Sequence, residues 1–266
     1  MAGGLGTRMG HFTKTIPKAM IPVNGQPFLR HQLRNLHLNG IERVVICTGY
    51  LGEQIESEVK TNTPAGMSVE CIPDGEVLLG TGGSLRRLLS MGVLDDIFLF
   101  TYGDSYLTVD HRGVADAFDS SRADSLMTVC ENKGGHEKGN AVVEGDMVVL
   151  YRKGDNDSRM QWIDYGLSVV TSESVHKHLP PNQECDIASM FERLSIAGRL
   201  QAYMSTERYF EIGSVTGLAE LEQHLPLLHL LPFLHQDVIH HAAHGHADFL
   251  HHAKGLQLSW RCHDLF

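Results

Sequence analysis

Short runs of β-branched and aromatic residues alternate with segments of helical period through the first half of this chain. ERVVICTG (42–49), MSVECI (67–72), DDIFLFTYGD (95–104) and DSLMTVC (124–130) have the apolar character of buried strands. Between them, LGEQIESEVK (51–60), GTGGSLRRLLSMG (80–92) and HRGVADAFDSSR (111–122) space their apolar positions as helices do. Strands alternating with helices predict βαβ units, an α/β fold and a mostly parallel sheet. Ligands of such sheets sit at the carboxyl ends of strands, so Asp104 falls where chemistry is expected.

The pattern changes after about residue 138. NAVVEGDMVVLYRKG (140–154) reads as a hairpin turning at Gly145 and Asp146, and MQWIDYGLSVV (160–170) as another strand. DIASMFERLSIAG (186–198) is an amphipathic helix stopped by Gly198. RYFEIGSVTGLAELEQHL (208–225) runs from a strand through a glycine turn into a helix. Trp162 and Tyr165 read as core or rim aromatics. No repeat or low-complexity linker interrupts residues 1–224, which form one predicted domain. In residues 225–266 histidine and leucine dominate without a clean period, giving a tail of unknown role. There His240/His244 and His241/His244 have the spacing for one helical face and a metal ion, a weak signal set against a loosely packed extension.

Composition narrows the function. Of 266 residues, 42% are hydrophobic and 20% charged, enough apolar content for a real core. The formal charge of −10 argues against a broad nucleic-acid face. Any phosphate ligand therefore needs a local cluster of cations. The five cysteines are scattered and never spaced C-x-x-C, as free thiols in a reducing compartment would be. LPLLHLLPFL is too short to span a bilayer, and no basic-then-apolar leader opens the sequence, so a cytoplasmic protein without membrane contact is expected.

The opening MAGGLGTRMGHFTKTIPKAM supplies the cation cluster: bare main chain, then Arg8, Lys14 and Lys18. Exposed amides followed by cations suit an anion. A P-loop would need G-K-[ST] at its end, and a dinucleotide fingerprint would need glycine where Met9 stands. Neither fits.

GGLGTRMGHFTKTIPKAM instead resembles the signature of sugar-1-phosphate nucleotidyltransferases, most closely those activating mannose 1-phosphate or manno-heptose 1-phosphate. LGTGGSL, YGDSY, WIDYGLSVV and YFEIGSVTGLAELEQHL resemble further motifs of that family in the same order, over residues 1–224. The resemblance implies a GT-A-like α/β fold, with a Rossmann-type mixed sheet flanked by helices. It implies transfer of a nucleotide from an NTP, GTP preferred, to a manno-configured sugar 1-phosphate, giving an NDP-sugar and pyrophosphate. Catalysis would fall to Arg8 and Lys18, and nucleotide binding to Ala2, Gly3, Gly4, Gly6, Thr7, Gly80 and Thr81. Asp104 and Glu211 would hold Mg2+, and Gly139, Lys153, Asp164 and Gly166 would contact the sugar or its phosphate. The oligomeric state stays open, a homo-oligomer included.

The match departs from the family in three places. Glu211 stands where most relatives carry aspartate. YRKG lacks the acid of the usual E-K-P form, which affects hydroxyl recognition more than phosphate binding. The family also places an apolar strand just before the glycine loop, and that first strand is missing from this sequence. The chain as written is accordingly expected to be less stable, and to bind nucleotide more weakly, than one extended by five apolar residues; a strand from LQLSW (256–260) is the one candidate replacement. Two other functions fit parts of the pattern. One is a nucleotidyltransferase for another small phosphate, since R-M-G also resembles the molybdenum-cofactor enzymes. The other is a non-catalytic nucleotide-sugar sensor.

Overall fold

Residues 15–75, 79–133, 138–155 and 157–228 are described by a computed structural model. The chain enters on a 3-10 turn at Lys18–Met20 and a small hairpin of β1 (Pro22–Val23) and β2 (Gln26–Pro27). Then follow α1 (Phe28–Leu38), β3 (Arg43–Thr48), α2 (Gly52–Asn62), β4 (Ser68–Pro73) and α3 (Gly80–Ser90). The middle of the chain forms β5 (Ile97–Thr101), β6 (Ser105–Leu107), α4 (His111–Asp116) and β7 (Ser125–Glu131). A hairpin of β8 (Ala141–Glu144) and β9 (Met147–Tyr151) precedes β10 (Trp162–Thr171), α5 (Ser172–His178) and α6 (Ala188–Ile196). β11 (Leu200–Ser205), β12 (Tyr209–Glu211) and α7 (Val215–Leu228) complete the described chain.

The sheet is mixed, with antiparallel pairing in the majority, where the strand–helix alternation predicts a mostly parallel one. The main sheet has the order β5-β10-β7-β11-β9-β8, and among the described residues only β7 with β11 and β3 with β4 form parallel ladders. The cause is β10, which arrives after the β8–β9 hairpin and runs against both β5 and β7. The helix expected over residues 111–122 stops at Asp116. Asp119 draws the amide and hydroxyl of Ser121 onto its carboxylate and turns the chain there. α7 runs on past residue 224, and Leu225 is buried beside Leu221. The histidine pairs of the tail, and Leu256–Trp260, lie outside the described residues.

Packing follows the strand pleat. Phe100, Met127, Val129 and Val170 turn one face of the main sheet onto Val175 of α5 and Met190, Phe191 and Leu194 of α6. Each such fully buried side chain contributes about 1.5–3 kcal/mol. Tyr165 and Leu167 of β10 face the other way, toward Val114 of α4. Tyr165 is almost fully buried and Trp162 partly so, in agreement with a core role. The described cysteines are all free.

A cavity of about 710 Å³ lies between β3 and β5, lined by Leu33, Val44, Ile46, Leu88, Phe98 and Phe100 among others. β3 pairs only with β4, and β5 only with β10, among the described residues. Each strand thus turns an edge toward the cavity, and a strand laid between them would join the two sheets into one.

α1 buttresses the far end of β5. Its Gln32 donates to the carbonyls of Tyr102 (2.9 Å) and Ser105 (3.1 Å), and Asn35 donates to the carbonyl of Leu107 (2.8 Å). These carbonyls are main-chain groups that interior burial obliges to find a partner. The result is a held strand end, at the point where Asp104 leaves β5.

Candidate active site

Lys18, Asp104 and Glu211 come to one place by three separate routes. On the 3-10 turn, Ala19 is buried with Leu29, Leu33 and Ile55, and Ile21 with Phe28 and Tyr106. These two anchors leave Lys18 facing outward, and its ammonium meets Asp104 Oδ2 at 2.7 Å. Asp104 occupies the bend between β5 and β6. β12 pairs antiparallel with β6, setting Glu211 opposite Ser105, and the amide of Ile212 donates to the Asp104 carbonyl at 3.0 Å. Phe210 and Ile212 are buried, so alternation along the strand turns Glu211 to the opposite face.

Gly213 marks where the three meet. A Cβ there would stand 2.9 Å from Lys18 Nζ and would overlap Glu211 Oε2, so a side chain at this position would displace both groups. The Gly213 amide donates to Glu211 Oε2, and the Ser214 hydroxyl donates to Oε1 at 2.7 Å. Asp104 accepts from Lys18 and, at 3.4 Å, from the Ser105 hydroxyl. Two carboxylates and one ammonium therefore face a common point.

A second group lies around Lys153, just past β9. Its ammonium contacts Asp186 at 3.1 Å and sits 5.6 Å from the centre of the Tyr102 ring, within cation–π range. Asp186 Oδ1 also accepts from the Thr81 hydroxyl (3.0 Å) and the Ala188 amide (2.9 Å), and Thr81 in turn accepts from the Ile187 amide (3.0 Å). Partial burial pushes the Asp186 carboxyl up. The Ala188 amide, Lys153 and Thr81 outweigh it, and the net shift is downward.

Asp164 and Gly166 form a break in β10, where pairing with β7 slips between Asp164 and Ser168. Gly166 has φ +96°, a conformation that strains any other residue, and its amide donates to Asp164 Oδ1 at 3.0 Å. Tyr151 donates to Asp164 Oδ2 at 3.2 Å. Burial raises the Asp164 carboxyl above the ordinary range, although Gly166, Lys153 and Tyr151 all favour its charged form. Gly139 packs where a Cβ would overlap the carbonyl of Met160, at the entry to β10. The next residue, Asn140, accepts from the Asp164 amide.

Tyr102 stands between the two groups. Its hydroxyl is buried without a partner among the described residues, and burial, then Asp164, Asp186 and Asp104, push its phenol well above the usual range.

Of the residues singled out from the sequence, Lys18, Asp104 and Glu211 come together, as do Thr81 and Lys153, through Asp186. Gly139, Asp164 and Gly166 cluster beside them. Ala2, Gly3, Gly4, Gly6, Thr7 and Arg8 lie outside the described residues. Gly80 (φ +69°) opens α3, and Gly82 and Gly83 approach residues 183–187 so closely that any side chain would collide. The close approach observed there is to the chain's own backbone.

The family model of the MobA-like NTP transferase domain matches residues 1–179. The chain belongs to this family.

The curated relatives of this MobA-like chain include the mannose-1-phosphate guanylyltransferase of Mycobacterium tuberculosis, 28% identical over 231 residues. That alignment covers 83% of this chain and 63% of the relative. The D-glycero-alpha-D-manno-heptose 1-phosphate guanylyltransferase of Aneurinibacillus thermoaerophilus is 28% identical over 153 residues, covering 58% of this chain and 65% of the relative. The chain thus spans less than two thirds of either. Among solved structures, HddC from Yersinia pseudotuberculosis superposes with a TM-score of 0.71 at 21% identity, over 84% of this chain and 96% of that one. This similarity establishes the mixed α/β, GT-A-like fold of the MobA-like domain. Among the described residues, no helix is long and apolar enough to cross a membrane.

Proposed function

We propose that this protein is a magnesium-dependent sugar-phosphate nucleotidyltransferase, with GTP and a manno-configured hexose or heptose 1-phosphate as substrates. The observation that carries the reading is the meeting of Lys18, Asp104 and Glu211 at one point, in a chain of the MobA-like family. The choice of base and sugar rests on the names of the two guanylyltransferase relatives.

In this reaction a phosphate oxygen of the sugar 1-phosphate attacks the α-phosphorus of the triphosphate. The new P–O bond forms as the bond to the β-phosphate breaks, and pyrophosphate leaves. Both reactants are polyanions, so positioning and charge stabilisation carry the rate. Lys18 would neutralise the α-phosphate and the incoming phosphate; in this structure its counter-ion is Asp104, with which an arriving phosphate competes for the ammonium. Arg8 would hold the departing pyrophosphate, and the amides of Ala2, Gly3, Gly4, Gly6 and Thr7 the triphosphate. Gly80 and Thr81 would lie on the base side. Lys153, Asp164, Gly139 and Gly166 would serve the sugar 1-phosphate.

Asp104 and Glu211 would hold the metal ion. One acid from the bend before β6 and one from the strand paired with β6, with no cluster of three or more His, Cys, Asp or Glu among the described residues, suit magnesium, which fills its shell with water and phosphate oxygens. When bound, the ion supplies positive charge against the gathered phosphates.

The test is a coupled pyrophosphate-release screen, with magnesium, across four NTPs and a panel of sugar 1-phosphates. Release is expected with GTP and mannose or manno-heptose 1-phosphate. Silence in every well from folded protein overturns the reading.

A further inference from the structure

We infer that Asp186 is a positioning residue that aims Lys153 at the sugar phosphate. The inference rests on the proposed role of Lys153. Nothing in the spacing of residues marks Asp186; its importance comes from what it touches. One carboxylate gathers the ammonium of Lys153 from beyond β9, the hydroxyl of Thr81 from the first turn of α3, and the amide of Ala188 at the head of α6. Lys153 has a flexible stem and is about half exposed, so a single contact would leave it free to sweep. Held by Asp186 on one side and above the Tyr102 ring, its ammonium is confined to the space beside Asp164. Thr81 fixes the carboxylate in turn. Its hydroxyl donates to Asp186 while accepting from the Ile187 amide, so the oxygen that receives Lys153 belongs to a group with little freedom left.

Asp186→Asn separates this role from the fold. Asparagine still caps α6 and accepts from Thr81, but it loses the charge that anchors Lys153. For an ion pair this exposed, kcat/KM for the sugar 1-phosphate is expected to fall about three- to five-fold, with the KM for NTP and the melting temperature little changed. Asp186→Glu should recover part of the loss. In a Lys153→Met background, Asp186→Asn should cost nothing further. A drop in melting temperature with equal losses for both substrates would make Asp186 a structural cap only and overturn the inference. Improved use of the sugar 1-phosphate would overturn it too, by showing that Asp186 competes for Lys153. If Lys153→Met alone leaves kcat/KM for the sugar 1-phosphate unchanged, the role of Lys153 itself is wrong. If it lowers kcat/KM while Asp186→Asn does not, only the present inference fails.

Discussion

Two lysines in this protein each face an aspartate, and they are held in different ways. Lys18 projects from a turn whose neighbours, Ala19 and Ile21, are sunk into two separate cores. Its side chain is 20% exposed and its ion pair is 2.7 Å long. Lys153 follows the buried Tyr151 at the end of β9, but its immediate neighbours Arg152 and Gly154 are exposed; it is 45% exposed, and its pair with Asp186 is 3.1 Å long. The first cation is aimed by the burial of adjacent residues in its own segment. The second is aimed by a carboxylate 33 positions away. Packing is insensitive to salt and costs little side-chain freedom, whereas an exposed ion pair is screened and contributes at most about 1 kcal/mol. A position built by packing suits reacting groups, and one built by a pair suits recognition.

The strongest way to break this contrast is to remove the charge that faces Lys18. Asp104→Asn should lower pyrophosphate release about a hundred-fold or more, with the melting temperature nearly unchanged. Near-normal turnover would take Asp104 out of the site. Next comes a direct comparison of the lysines. Lys18→Met should cut turnover at least ten times more than Lys153→Met, and the Lys153 effect should fall mainly on the sugar 1-phosphate. Equal losses from the two variants would erase the difference between them.

The supports under the two groups should also differ in their response to pH. His111, buried at the start of α4, donates its amide to Asn39 Oδ1, beside the α1 contacts that hold β6. Burial lowers its pKa to about 4, against opposing effects of the Val109 carbonyl and Asp110. The unfolded chain therefore takes up this proton first. Stability from His111 is complete above about pH 6.5 and drains as pH falls toward 4, by about 3 kcal/mol. Denaturant melts from pH 7 to 4 should show that slope, and His111→Asn should flatten it.

The smallest effect concerns Asp164, where the sign reverses. Its carboxyl is raised by burial, so the penalty is absent in acid, where both states are protonated, grows as pH rises past the ordinary carboxylate range, and is complete once the raised value is passed. Asp164→Asn keeps an acceptor for the Gly166 amide and should stabilise the protein by about 1 kcal/mol at pH 7, with no gain near pH 3, by thermal melts at both values. A gain that does not depend on pH would point to packing instead of charge.

Much of the site could be read from residue order. Asp104 is at the end of a strongly apolar strand, and Glu211 lies between two apolar neighbours ahead of a glycine turn. Such signals are local, so they survive without coordinates. α1 has equally local signals: Pro27 at its entry, apolar positions at Phe28, Leu29, Leu33 and Leu36, and Gly40 past its end. The strand–helix alternation is plainest in the segments that follow, and by itself it does not point to α1, β11 or α5. Asp186 had no such signal. Its partner Thr81 is 105 positions away, and a D-I-A-S helix start looks like an ordinary cap.

The mixed sheet implied by the resemblance is observed, and the mostly parallel one expected from alternation alone is not, for a related reason. Alternating strands and helices imply crossovers only when successive strands lie side by side, and here β10 inserts between β5 and β7 from much later in the chain. The edges of β3 and β5, which meet no further strand among the described residues and face a shared cavity, are visible only in three dimensions.

Sequence alone determined most of the strands and helices that border the site, and the acids and cations Asp104, Glu211 and Lys18 at their ends, because hydrophobic period and turn residues act within a few positions. Tertiary structure decided which of those ends meet, which carboxylate restrains which ammonium, and where a strand runs against its neighbours. Those outcomes depend on how separate apolar faces pack together, and such packing couples residues regardless of their distance along the chain.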